Sequence, residues 1–330
     1  LRFVIEPALI NFIIFICTGR REKCNYSGWI FLTSLLICFP SISPVDKLTQ
    51  RMNVACNSDS HILVLKLYYA WLLVLVRMVA SFHRETALVL MARIDASPWL
   101  PALDRLMSWA HARDSRYVTI CNVHVVVTAS RDLAYCNVIN ASDMATPDGA
   151  PVAWMLRRQG FIGQTRISGP ELMWALCERA AAEHIPVYCY GSTEATLDLL
   201  RQRLLATSPD LQLVVESPPF RVLTAEEDDA AVARINASGA GFVFVGLGCP
   251  KQEMWMAAHR GRVNAVMIGV GAAFDFHAGT VTRAPEWMRN YGLEWLHRLA
   301  SEPRRLWRRY LVTNILFIVG AARQLLFRKD

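Results

Sequence analysis

FVFVGLG at residues 242–248 and AVMIGVG at 265–271 are apolar without interruption until each reaches its glycines, Gly246 and Gly248 in the first and Gly269 and Gly271 in the second. A strand with one face in water alternates apolar and polar residues. A run that is apolar at every position belongs to a sheet covered on both faces. Working outward, PVYCYG (186–191), LQLVVE (211–216) and YVTICNV (117–123) are further β-rich runs. Helical periodicity fills the gaps: STEATLDLLRQRLLA follows Gly191 with Leu197, Leu200 and Leu204 in register, and AEEDDAAVARINAS (225–238) starts with acids. Strands separated by helices of this length predict parallel βαβ units. The expected fold class is α/β, a parallel sheet core followed by a helical appendage.

Three strands end in glycine, at Gly191, Gly246/Gly248 and Gly269/Gly271. Ligands of an open parallel sheet sit beyond the carboxyl ends of its strands, and glycine lets backbone approach a phosphate or ribose closely. Ser192 and Thr193 are placed to cap the next helix, whose N-terminus favours an anion. One such end reads equally as a conformational glycine; three together predict a nucleotide-type site. The chain has no G-x-G-x-x-G with an acid about 20 residues on, no Walker lysine loop and no Asp-x-Asp triplet.

Composition sets the bounds. Of 330 residues 53% are hydrophobic and 19% charged, which excludes a disordered chain. The net charge of +7 is unevenly spread: residues 283–330 carry +6, residues 84–282 carry −3 and the first 83 carry +4. A basic, aromatic end suits an anionic partner, whether nucleic acid, lipid headgroups or a diphosphate. No recognised nucleic-acid motif appears, and the acidic middle would repel DNA, so no nucleic-acid partner is expected. The nine cysteines form no C-x-x-C pair and no zinc-type spacing, which predicts reduced thiols and no metal.

Residues 1–83 read differently. Apolar runs at 8–17 and 29–40 fall short of the ~20 residues a spanning helix needs. The run at 62–80 contains Lys66 and Arg77, each costing roughly 2.5–3.5 kcal/mol at a bilayer centre. Either this segment is a leader from an over-extended reading frame, or it is a membrane anchor; a cleaved signal lacks its ordered n-region, h-region and cleavage site. An integral membrane scaffold driven by this segment is the third functional class.

Several constellations carry chemistry. Asp148 stands in ATPDGAPVAW (145–154) between Pro147 and Gly149, ahead of a helix; it reads either as a turn residue or as a carboxylate at a loop tip, available as a general base. In GLGCPKQEMWM (246–256), Lys251, Gln252 and Glu253 open a helix after a Gly/Pro turn. A cation there opposes the helix dipole, which points Lys251 toward a phosphate or sugar. Ser168 and Glu171 fit a capping box. Asn122 and His124 follow the first long strand and face the same cleft, although a lone His is more often structural. Arg304, Arg305, Arg308 and Arg309 fall in two i,i+4 pairs beside a stripe of Trp307, Tyr310, Leu311, Asn314 and Ile318, with Phe317, Leu325 and Leu326 adding apolar surface. That helix reads as amphipathic and suited to a headgroup plane.

Taken in order, VTICNVHVVVTA, PDGAPVAW, RISGPEL, VGLGCPKQE, GVGAAFDFHAGTVTRAPEWM and GLEWLHRLASEPRRLWRRY resemble the WecG/TagA/CpsF glycosyltransferases, glycosyltransferase family 26, over about residues 88–320. Within that family the sequence most resembles the xanthan-type β-1,4-glucosyltransferase branch. The resemblance implies a Rossmann-like core over 84–284 and a membrane-docking appendage over 285–330. It implies inverting transfer from a UDP-sugar, glucose for this branch, to a polyprenyl-diphosphate-linked saccharide in exopolysaccharide synthesis. The enzyme would act peripherally at the cytoplasmic face of the inner membrane, with no cofactor and no obligatory metal. A UDP-N-acetylmannosamine or uronic-acid donor is the alternative within the family. Carried over, Asp148 becomes the base with Asn122 beside it. Gly191 belongs with the strand-end glycines of the substrate site, and Gly246, Gly248, Lys251, Gln252 and Glu253 lie near the donor. The appendage arginines are Arg304, Arg305, Arg308 and Arg309. Three features depart from the family pattern: Ile120 stands where threonine is frequent, Glu171 replaces a frequent aspartate, and residues 1–83 have no counterpart.

Overall fold

The computed structural model describes residues 84–327, so the expectations for residues 1–83 lie outside the described residues. A short antiparallel hairpin, β1 (Thr86–Val89) and β2 (Ala92–Asp95), precedes the sheet. The sheet contains β3 (Arg116–Cys121), β4 (Met144–Pro147), β5 (Val187–Gly191), β6 (Leu213–Glu216), β7 (Phe242–Gly246) and β8 (Val266–Gly269). Their order is β4-β3-β8-β7-β5-β6, and every neighbouring pair is parallel. This is the parallel α/β sheet that the uninterrupted apolar runs predict, and it is Rossmann-like, as the family resemblance implies.

The helices are α1 (Trp99–Ala112), α2 (Val123–Ala129), α3 (Leu133–Asn140), α4 (Ala150–Arg158), α5 (Gly169–Ala182), α6 (Glu194–Thr207), α7 (Ala225–Ala237), α8 (Lys251–His259) and α9 (Ala273–Ala278), followed by α10 (Glu286–Asn290), α11 (Glu294–Ser301) and α12 (Pro303–Leu326). Side chains alternate across the strands. Val118, Ile120, Phe242, Phe244, Val266 and Ile268 pack into the layer of α1, α5, α6 and α9. Tyr117, Tyr188, Val243 and Met267 face Ile235 of α7 and Met256 of α8. Both faces are covered, which is why the central strands β7 and β8 carry no polar side chain. Each large apolar side chain fully withdrawn from water contributes roughly 1.5–3 kcal/mol.

Local chemistry sets several helix starts. Thr224 caps α7 in a capping box with Glu227, and Thr193 caps α6 by accepting from the Thr196 N–H. Ser192, an expected partner in that cap, instead takes a left-handed turn with φ of 61°. The capping box expected at Ser168 and Glu171 is not formed. The Ser168 hydroxyl donates to Glu171 Oε2 at 2.7 Å and caps no backbone N–H, because arginines claim the Glu171 carboxylate. Strand β4 has no alternating or extended apolar signature; its four residues are buried by the sheet edge and the hairpin, which the local sequence does not announce.

Helix α12 presents two faces. Leu306, Thr313, Phe317 and Ala321 are buried, with Phe317 and Ala321 joining the hairpin and α2 in one apolar cluster. Leu325 packs against the same cluster. The Gln324 amide fastens the far end, accepting from Leu90 N–H at 2.8 Å and donating to the Leu88 carbonyl at 2.7 Å. The expectation that Phe317 and Leu325 face outward is therefore corrected: they are what anchors the helix. Trp307, Leu311, Ile315 and Ile318 form an outward apolar stripe, each more than half exposed.

Topology locates the cleft. From β5 the chain moves outward to β6, and from β7 it moves inward to β8. Connections leaving neighbouring strands in opposite directions open a crevice at their carboxyl ends. Gly191 and Gly246 are paired there, and a Cβ on Gly191 would lie 2.7 Å from the Gly246 carbonyl carbon. Gly191 also has φ of 127°, so two backbones meet where no side chain fits.

Candidate active site

Cys121 pairs with Pro147 across β3 and β4, so the next residues, Asn122 and Asp148, leave the sheet side by side. The Asp148 N–H donates to the Cys121 carbonyl at 3.0 Å. Gly149 follows with φ of 85° and starts α4, with Pro151 in its first turn. Asn122 Oδ1 accepts from the His124 and Val125 N–H groups at 3.0 and 3.2 Å, capping α2.

Asp148 sits among charges. Burial pushes its carboxyl pKa up to about 6; Glu294 and Glu171 push the same way, while Arg166 and Arg298 oppose them. Glu294 and Arg298 belong to α11, so the C-terminal helices reach the carboxylate. Gly292, in the turn before α11, closes the approach: a Cβ there would lie 2.6 Å from Ala150, two residues past Asp148. Tyr310 of α12 is half-buried within the electrostatic reach of Asp148, and its ring lies 5.9 Å from that of Trp295.

Glu171 is the hub of the arrangement. Its Oε1 accepts from Arg166, Arg283 and Arg289 at 3.0, 2.9 and 3.0 Å. Burial alone would raise its pKa; the Ser168 hydroxyl and the Arg166 and Arg283 guanidiniums override that and hold it below the usual range. Arg166 also bonds Glu294 at 3.2 Å. The Arg298 guanidinium reaches over the Phe276 ring of α9, 5.3 Å from its centroid. The Nε groups of Arg283, Arg289 and Arg298 are buried without a hydrogen-bond partner. Four guanidiniums thus surround three carboxylates, leaving a net positive charge beside Asp148. Guanidiniums suit an anionic ligand such as a phosphate.

The second wall is built by the β7–α8 turn. Gln252 reaches across to the end of β8, its amide nitrogen 2.9 Å from where a Cβ on Gly269 would stand. It donates to Glu253 Oε1 at 2.8 Å, and its own Oε1 is buried without a partner. Glu253 is fully buried, and burial raises its pKa.

Residues 88–330 match the model of the glycosyl transferase WecG/TagA/CpsF family. The chain belongs to that family. It is a glycosyltransferase.

In this glycosyltransferase, Asp148 and Asn122 come together at the β3/β4 edge, and Gly191 and Gly246 meet at the β5/β7 crevice. Gly248, with φ of 77°, turns the chain toward α8. Gln252 lines the turn, Lys251 is exposed at the start of α8, and Glu253 lies beneath the surface. Arg304 and Arg308 are exposed on the outside of α12. Arg309 turns inward, where its charge together with burial holds the His124 pKa down at about 4. The side chain of Arg305 lies outside the described residues. The guanidiniums nearest Asp148 and Glu171 are Arg166, Arg283, Arg289 and Arg298, which sequence reasoning did not single out. Arg166, Arg283 and Arg298 lie inside strings that carry the family resemblance, but the four arginines share no spacing that marks them as one set; only the fold gathers them. Among the described residues no helix is long and apolar enough to cross a membrane.

Proposed function

We propose that this glycosyltransferase moves a sugar from a UDP-sugar to a polyprenyl-diphosphate-linked saccharide, with inversion, at the cytoplasmic face of the inner membrane. Glucose transferred in β-1,4 linkage during exopolysaccharide synthesis is the reading the sequence resemblance favours. The observation that carries the chemistry is Asp148: a carboxylate with its pKa raised to about 6, at the carboxyl edge of the sheet, beneath an arginine-bearing helical cover. A general base is most effective with a pKa near the working pH.

In this reading the acceptor hydroxyl gives its proton to Asp148 as its oxygen bonds the anomeric carbon of the donor. The bond from that carbon to the diphosphate oxygen breaks, and UDP departs with the electron pair. Arg166, Arg283, Arg289 and Arg298 supply fixed positive charge for the leaving diphosphate. Gly191 and Gly246, whose Cβ positions are filled by facing backbone and by Phe274, let β5 and β7 close into the floor of the nucleotide crevice, and Gln252 adds an amide near the end of β8. Asn122 holds α2 in place beside Asp148. The outer stripe of Trp307, Leu311, Ile315 and Ile318, flanked by Arg304 and Arg308, meets the lipid surface that carries the acceptor. The core over 84–284 carries the base and the nucleotide crevice, and the appendage over 285–330 both docks and brings Arg289, Glu294 and Arg298 to the site.

The test is a donor screen against synthetic polyprenyl-diphosphate-glucose. Acceptor-dependent UDP release from UDP-glucose supports the reading; release from UDP-N-acetylmannosamine alone replaces the donor; release from no sugar nucleotide removes it.

A further inference from the structure

A recess adjoins the Asp148 cluster on the α1, α5 and α9 face. It is lined by Trp99 at the start of α1, Pro170, Glu171 and Trp174 near the start of α5, His277 of α9, and Arg283. Its position at the carboxyl edge of the sheet follows from Gly169, the first residue of α5, where a Cβ would lie 3.3 Å from the Val270 carbonyl just beyond β8. The volume is about 490 Å³, within the range of roughly 300–1,000 Å³ typical of ligand sites.

Its walls are of two kinds. The Trp174 and His277 rings lie 5.0 Å apart at 36°. His277 Nε2 bonds the Pro170 carbonyl at 2.9 Å, and the Trp174 indole N–H donates to Glu178 at 2.9 Å. Both rings are therefore held by their polar atoms, leaving aromatic surface toward the recess. The other wall is polar. Arg283 donates to Glu171 at 2.9 Å, while its buried Nε is unpartnered and stands 3.7 Å from Glu294 Oε1.

Aromatic surface is matched by C–H groups, and a carboxylate beside a guanidinium is matched by hydroxyls that both donate and accept. A pyranose carries both, C–H groups on a ring face and hydroxyls around its rim. A bare acyl chain would leave Glu171 and Arg283 without use. We propose that this recess is a pyranose-binding subsite, a reading that rests on the sugar-transfer function above. The ring it takes belongs either to the donor or to the saccharide of the acceptor, since both present the same chemistry beside Asp148.

Kinetics on the full chain test it. Trp174→Leu keeps an apolar filler and removes the aromatic surface; Trp174→Phe restores it. The expected result is a roughly tenfold rise in one KM for Trp174→Leu, recovered in Trp174→Phe, with inhibition by UDP alone unchanged. A rise for the UDP-sugar assigns the donor ring, and a rise for the lipid-linked acceptor assigns the acceptor ring. If Trp174→Leu does not fold by circular dichroism, Ala175→Leu, at the half-buried neighbour of Trp174 that also lines the recess, narrows it and is judged on the same KM values. Both KM values unchanged in a folded variant, with the wild type still releasing UDP, overturn the subsite alone. A wild type that releases no UDP from any sugar nucleotide overturns the transfer function and the subsite with it.

Discussion

Arg289, on the first of the C-terminal helices, donates to Glu171 Oε1 on α5 at 3.0 Å, and the same oxygen takes Arg166 and Arg283. One carboxylate thus fastens the segment after residue 285 to the sheet domain. Glu171→Gln leaves three guanidiniums without their shared anion. The expected loss is about 1–2 kcal/mol of stability, allowing for partial exposure of the carboxylate. Urea unfolding reads it, and an unchanged midpoint would show that the Glu171 carboxylate does not fasten the appendage.

Asp148 has a stability signature as well as a catalytic one. Its pKa is about 6 in the native state, above the ordinary aspartate value near 4, so the unfolded chain gives up this proton first. The charged carboxylate then weighs against folding, by an amount that grows between pH about 4 and about 6 and is constant above. At pH 7.5 the cost is on the order of 1–3 kcal/mol. Asp148→Asn is accordingly expected to melt at a higher temperature than the wild type at pH 7.5, with the gap closing below pH about 4. Equal melting temperatures at both pH values contradict the raised pKa.

The rate profile follows from the same group. Asp148 accepts a proton only when ionised, so transfer is expected to fall as pH drops through about 6. Glu294 raises that pKa, and it also pairs with Arg166, which lowers it. Glu294→Gln removes a negative neighbour and frees a positive one, and both changes move the acid limb to lower pH. A limb that stays in place or moves to higher pH rejects the coupling between α11 and the base.

Much of this was legible in the residues. Uninterrupted apolar runs give a doubly covered parallel sheet because burial on both faces leaves no alternation. Glycine at the ends of β5 and β7 marks the crevice because two backbones meet there. Asp148 stands out by its turn string. The arginine set was not legible. Arg304 and Arg308 attract attention through local spacing, yet an i,i+4 pair shares a helix face without saying which way the face points. Arg283, Arg289 and Arg298 have no local pattern and are collected by Glu171, Phe276 and the docking of α11. The same holds for Phe317, whose position on an apolar helix gives no hint that it joins the cluster of α2 and the β1–β2 hairpin.

The outer stripe of α12 separates docking from folding. Ile315→Ser with Ile318→Ser alters side chains that are more than half exposed, so the melting temperature should hold. Binding to liposomes containing anionic lipid is expected to drop, and transfer to a lipid-linked acceptor with it. Full binding by the double variant assigns the membrane contact to another surface.

The central claim is that Asp148 takes the acceptor proton. It is tested most directly by acceptor-dependent UDP release from UDP-glucose, measured side by side for the wild type and Asp148→Asn with polyprenyl-diphosphate-glucose. The account predicts at least a roughly 10²-fold lower turnover for the folded variant. Turnover equal to the wild type in Asp148→Asn would contradict it.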